Sequence, residues 1–123
     1  MRNINLLIGG KPVKTTSGRE GDVFNPNTGE VQARVGFSST ADVDLAVQAA
    51  AKALPGWAGT NPQRRARVMF EFKRLVEANM QPLAELLSSE HGKVVADSKG
   101  DIQRGLEVIE FASGIPHALK GEY

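Results

Sequence analysis

The chain has 123 residues, no cysteine, and 15 basic against 14 acidic side chains. Disulfides, thiolate metal sites and thiol nucleophiles are therefore excluded within it. A net charge of +1 supplies no electrostatic reason to expect nucleic acid or an anionic membrane as a partner. Hydrophobic residues make up 41% and charged residues 24%, an ordinary globular balance. With one Trp, one Tyr and five Phe, the core must rest on Ala, Val, Leu and Ile.

The N-terminus, MRNINLLIGG, is too short in apolar residues for a signal-peptide core. No run approaches the ~18 apolar residues of a membrane span. The expected compartment is the cytoplasm, or the mitochondrial matrix in a eukaryote. Asn5 to Ile8 and Lys11 to Val13 are short strand candidates around Gly9-Gly10, a pair suited to a tight hairpin. Thr15 to Asp22 is expected as a polar loop, and Asn25-Pro-Asn-Thr-Gly29 as a turn. Glu30 to Val35 alternates, with Val31, Ala33 and Val35 on one face, and predicts a half-buried strand.

From Ser38 the period lengthens to near 3.6. Ser39 or Thr40 can cap a helix, and Asp42 stands three residues after Ser39, as in a capping box. Val43, Ala46, Val47, Ala50 and Leu54 form its apolar stripe, and Pro55-Gly56 is expected to stop it. Asn61-Pro62 restarts the chain as a cap followed by Pro at the first helical position. That second helix carries Arg64, Arg65 and Arg67, expected as a solvated basic face. Met80, Leu83, Ala84 and Leu87 predict a third helix ending at Gly92, a left-handed cap. A fourth is expected from Val95 to Ser113. Gly100 and Gly105 inside it each cost about 1 kcal/mol against Ala, which leads us to expect a close neighbour there.

The expected architecture is a short β segment over residues 1–37 followed by about four helices over residues 38–123. Two or three short strands and long helices do not obviously close one core. The chain therefore reads as the front end of a larger α/β protein.

Read residue by residue, the sequence yields no activity. His91 and His117 are far apart and belong to no HxxxH or HxH arrangement, so no metal site is expected. Ser88, Ser89, Ser98 and Ser113 lack a GxSxG or SxxK context and are expected at surfaces or caps. Glu107 and Glu110 suit helix-surface ion pairing better than acid–base work. Gly9-Gly10-Lys11 lacks P-loop spacing, and no GxGxxG follows a strand.

The order of segments adds a resemblance. Ile8-Gly-Gly-Lys-Pro-Val13, Val23-Phe-Asn-Pro-Asn-Thr-Gly-Glu-Val31, Ala41-Asp-Val-Asp-Leu-Ala-Val47, Trp57-Ala58, Pro62-Gln-Arg-Arg-Ala-Arg67 and Glu90-His-Gly-Lys93 stand in sequence. Together they resemble the opening of the aldehyde dehydrogenase superfamily across nearly the whole chain. Gly100-Asp-Ile-Gln-Arg-Gly-Leu-Glu-Val-Ile-Glu-Phe-Ala112 and Gly114-Ile-Pro-His-Ala-Leu-Lys-Gly-Glu122 look most like the CoA-acylating methylmalonate-semialdehyde dehydrogenases within it.

The resemblance implies an α/β parent of the aldehyde dehydrogenase fold, with residues 1–123 as the N-terminal part of its Rossmann-like NAD-binding domain. It implies oxidation of methylmalonate or malonate semialdehyde with NAD and coenzyme A to propionyl-CoA or acetyl-CoA, NADH and CO2, in valine or inositol breakdown. A homotetrameric parent is also implied. The family's thiol nucleophile, oxyanion-stabilising Asn, nicotinamide-positioning Glu and dinucleotide contacts lie later in the chain. No catalytic, cofactor-binding or metal residue is expected here, and neither cofactor is expected to bind this chain alone, which should be inactive. One residue carries over: Arg104, whose counterpart engages the substrate carboxylate. A guanidinium fork can grip such a group with both oxygens. The plainer reading of Arg104 is a helix-surface partner of Asp101 or Glu107. The functional alternative is a non-catalytic binding or assembly module that kept only the front of the dehydrogenase fold.

Overall fold

A computed structural model describes residues 2–119 and 121. Lys120 and Glu122, which belong to the second subfamily motif, lie outside the described residues, as do Met1 and Tyr123. The chain divides into two compact units, Met1–Gly59 and Thr60–Tyr123.

The first unit holds β1 (Arg2–Ile4), β2 (Leu6–Ile8), β3 (Lys11–Val13), β4 (Glu20–Phe24), β5 (Val31–Gly36) and α1 (Thr40–Ala58). β2 and β3 form an antiparallel hairpin. Its turn is made by Gly9 and Gly10, both at positive φ (60° and 78°), the geometry that favours a glycine pair. A second sheet runs in the order β1-β5-β4, with β1 parallel and β4 antiparallel to β5. The Asn25–Gly29 turn joins β4 to β5: Asn25 Oδ1 accepts from the Asn27 N–H at 2.9 Å, and the Gly29 N–H donates to the Asn25 carbonyl at 2.8 Å.

Three expectations fail here. There are five strands among the described residues rather than two or three, because Arg2–Ile4 is a separate strand that pairs with a partner some thirty residues away. Glu20 to Asp22 is strand, not loop, because it is paired with Arg34 to Gly36. Long-range ladder bonds override weak local propensity in both cases. Pro55-Gly56 does not stop the first helix, which runs to Ala58 with Pro55 inside it. Proline removes one N–H donor, yet its own carbonyl still accepts from the Gly59 N–H at 3.0 Å, so a further turn closes.

Ser39 caps α1 with the expected capping box. Its Oγ accepts from the Asp42 N–H at 3.1 Å, and Asp42 Oδ2 accepts from the Ser39 N–H at 2.8 Å. Beyond this cap the apolar stripe is largely uncovered: Val43, Val47 and Leu54 are all more than half exposed.

The second unit is helical: α2 (Pro62–Ala78), α3 (Met80–His91), α4 (Val95–Ser113) and the single turn α5 (Ile115–Ala118). The expected boundaries of the third and fourth helices hold, and α5 is an additional turn. Asn61 Oδ1 caps α2 by accepting from the Gln63 N–H at 2.9 Å. Gly92, at φ 87°, ends α3 in the left-handed conformation. α4 packs against both α2 and α3. Among the described residues the fully buried apolar side chains are Ala33, Ala84 and Leu106. So small a core in so long a chain fits the reading of strands and helices that do not close on themselves.

Gly100 and Gly105 do not sit against a neighbour. A Cβ at either would meet nothing within 4 Å, so no packing among the described residues requires them. Ser98 and Ser113 are buried, contrary to the surface reading, because each hydroxyl finds a partner inside. Ser98 Oγ lies 2.8 Å from Ser88 Oγ, and Ser113 Oγ donates to the Ile109 carbonyl at 2.9 Å. The arginine face of α2 is only partly solvated: Arg64 and Arg67 are exposed, while Arg65 is half-buried with its Nε enclosed and unpaired.

Candidate functional site

The α3–α4 junction brings together the charged groups of greatest chemical interest. The left-handed turn at Gly92 ends α3 and sends Lys93 back toward the first turns of α4. Val94 starts that helix without a side-chain cap. Asp101 and Arg104 follow one turn apart, on neighbouring positions of the helix surface. Lys93 Nζ donates to Asp101 Oδ2, and Arg104 Nη1 donates to Asp101 Oδ1 at 2.8 Å.

One carboxylate thus lies between two cations. Asp101 is held below the ordinary carboxylate range chiefly by the Lys93 hydrogen bond, against the opposing effect of burial, with further lowering by the charges of Lys93, Arg104 and His91. It is ionised at neutral pH and balances one of the two adjacent cations. Lys93 is the most covered of the three, whereas the Arg104 side chain is 77% exposed. The plainer reading of Arg104, a surface partner of Asp101, is therefore realised, while Glu107 is not its partner. Val108 and Phe111 follow Arg104 at helical spacing on the same side. Phe111 is 83% exposed, so the guanidinium heads an uncovered apolar stripe. About two turns further along α4, a groove of about 490 Å³ lies among Phe70, Arg67, Glu110 and His117.

A second carboxylate cluster is of a different kind. Asp42 is 1% exposed and is surrounded by donors. Besides the Ser39 N–H, Oδ1 accepts from Thr16 Oγ1 at 2.9 Å, Oδ2 accepts from the Thr16 N–H at 3.1 Å, and Thr15 Oγ1 lies 2.8 Å from Oδ2. The Ser39 amide, then the Thr15 hydroxyl, then the two Thr16 donors hold this carboxyl far below its usual range, against the burial that opposes them. Thr15 in turn lies over Gly36, where a Cβ would come within 2.6 Å of its methyl group. With donors on both oxygens and only 1% of the residue exposed, this node anchors the chain rather than binding a ligand.

The sequence reading missed Lys93 as the partner of Asp101, and Thr15 and Thr16 as partners of Asp42. The only signal for Lys93 was its place after a left-handed Gly. For the threonines there was none, since the contact spans 26 residues. His91 and His117 are both exposed and lie apart in the chain, and no group of three His, Asp or Glu suited to a metal exists among the described residues. Gly9-Gly10 turns the β2–β3 hairpin and opens no helix, so its amides do not form a phosphate cradle at a helix N-terminus. No helix among the described residues is long and apolar enough to cross a membrane.

The fold and sequence match known proteins along the whole chain. Residues 13–123 match the model of the aldehyde dehydrogenase family, and the chain belongs to that family. It is 42% identical over 123 residues to malonate-semialdehyde dehydrogenase of Pseudomonas aeruginosa, covering 100% of this chain and 24% of that protein. It is 43% identical over 121 residues to malonate-semialdehyde dehydrogenase 2 of Geobacillus thermodenitrificans. Among solved structures, a Sinorhizobium meliloti 1021 protein assigned as a methylmalonate-semialdehyde dehydrogenase, in complex with NAD, superposes with a TM-score of 0.97. It is 56% identical and is matched over 99% of this chain and 25% of that one. The methylmalonate-semialdehyde dehydrogenase of Oceanimonas doudoroffii gives a TM-score of 0.95 at 45% identity. The chain spans about a quarter of the length of the relatives it matches.

Proposed function

We propose that this chain is the N-terminal part of the NAD-binding domain of an oxidoreductase acting on malonate or methylmalonate semialdehyde. In that enzyme, semialdehyde, NAD and coenzyme A give acetyl-CoA or propionyl-CoA, NADH and CO2, as valine or inositol breakdown requires. A homotetramer working in the cytoplasm is part of the same reading. The observation that carries it is end-to-end similarity to proteins of that name, at 42% identity over all 123 residues, joined to the near-superposition on an NAD complex.

The residues here do not supply the reaction's nucleophile, because a thiolate is needed to hold the acyl group as a thioester and the chain has no cysteine. What they supply is a wall with one cation. Arg104 offers an exposed guanidinium at the head of an apolar stripe, suited to a substrate that is a carboxylate at one end and an aldehyde at the other.

The test is Arg104→Lys in the intact dehydrogenase that carries this chain. Lysine keeps the charge and loses the planar fork. KM for malonate semialdehyde should rise about tenfold or more relative to KM for propanal, the uncharged analogue. An unchanged KM and turnover would remove Arg104 from the substrate site. Calorimetric titration of the 123-residue chain with NAD should give no binding heat, and micromolar affinity would place dinucleotide contacts within it after all.

A further inference from the structure

Two arginines in the second unit pair with a carboxylate three residues earlier, and they do so differently. Glu71 takes Arg74 with both oxygens: Nε donates to Oε2 at 2.9 Å and Nη2 to Oε1 at 2.7 Å. The side-on edge of that guanidinium is closed. Asp101 takes Arg104 with one oxygen only, through Nη1 at 2.8 Å. Its other oxygen is occupied by Lys93 Nζ, which the left-handed turn at Gly92 brings to that place. The Nε–Nη2 edge of Arg104, the same edge that on Arg74 holds a carboxylate by two bonds, is left outside the Asp101 contact.

We propose that Lys93 is a positioning residue for substrate recognition: by holding Oδ2 of Asp101, it confines that carboxylate to Nη1 of Arg104 and keeps the Nε–Nη2 edge open for the carboxylate of the semialdehyde. This rests on the reading of Arg104 as the substrate's carboxylate contact. The physical logic is one of valence. A carboxylate has two oxygens and a guanidinium fork prefers both, so an ionised neighbour on the same helix competes with the substrate for the fork. Occupying one oxygen with an ammonium leaves Asp101 able to orient the guanidinium without closing it. Asp101 stays ionised because Lys93 stabilises its charged form.

The experiment is a double-mutant cycle in the intact dehydrogenase, reading the ratio of KM for malonate semialdehyde to KM for propanal. Lys93→Met should raise that ratio about tenfold, the size expected when one charge-assisted hydrogen bond to substrate is lost. Lys93→Arg, which can still hold Oδ2, should bring it back toward the parent value. In an Asp101→Asn background Lys93→Met should add little, because the lysine acts through that carboxylate. Three results would overturn the proposal: no change in the ratio with Lys93→Met, a change of the same size in the Asp101→Asn background, or a parallel fall in turnover with both substrates. The first would leave Lys93 without influence on recognition, the second would make it a direct attractor of the anion, and the third would make it merely structural. Arg104→Lys is measured alongside. If it too leaves the ratio unchanged, the reading of Arg104 falls and this inference with it; if it raises the ratio while Lys93→Met does not, only the present inference falls.

Discussion

α1 and α4 are both 19 residues long and are held by opposite means. α1 is fixed at its N-terminus by a buried carboxylate with a full set of donors, while much of its apolar stripe faces outward. α4 begins at Val95, after Val94, with no side-chain cap and is instead held along its flank, where Leu106 and Ser98 are buried. Its carboxylate at position 101 is half-buried and is shared between two cations. A fully satisfied buried polar node fixes geometry and leaves nothing to bind with. A side held by packing frees the polar groups on the other side for recognition. That division explains why the candidate site lies on α4 although α1 carries the more strongly perturbed carboxyl.

The comparison can be broken by removing each anchor in turn. Asp42→Ala leaves the amides of Ser39 and Thr16 without the carboxylate that accepts from them. The thermal midpoint should drop by about 10 °C, followed by far-UV circular dichroism. Asp101→Asn should cost clearly less in the same melt, and an equal loss would end the distinction between anchor and recognition group.

Acid sharpens the same contrast. Because the folded-state carboxyl of Asp42 is depressed, its contribution is fully present above the ordinary aspartate value of about 3.9. It is lost as pH falls from there toward the folded-state value. Urea midpoints should therefore decline below about pH 4, and the decline should be shallower in Asp42→Asn.

On the packed flank, Ser98→Ala strips Ser88 of its hydroxyl partner and should cost about 1 kcal/mol in urea unfolding. The smallest effect is a gain. Gly105→Ala meets no neighbour and should stabilise the chain by up to about 1 kcal/mol. If the same change destabilises the intact dehydrogenase, the neighbour that Gly105 accommodates comes from outside these residues.

Much of the fold was legible before any coordinates. The 3.6 period, Asn61-Pro62 and the Gly92 stop placed α2, α3 and α4, since caps and apolar spacing act within a few residues of one another. The Ser39–Asp42 capping box was legible for the same reason, and so was the pairing of Arg104 with Asp101 three residues earlier. Other features depended on groups far apart in the chain. Nothing near Arg2 or Glu20 announces a strand, because their partners lie on β5. Asp42 shows its capping role in the sequence but not its burial under Thr15 and Thr16.

The amino-acid sequence by itself determined α2, α3 and α4, the Gly9-Gly10 and Asn25–Gly29 turns and the family, because these follow from short-range periodicity, capping and ordered motifs. Only the tertiary structure decided which carboxylate is fully buried and which is half-exposed, and that Lys93 and Arg104 share the two oxygens of Asp101. Electrostatic partnership depends on distance in space. A lysine eight residues before an aspartate becomes its partner only once a left-handed turn has folded one back toward the other.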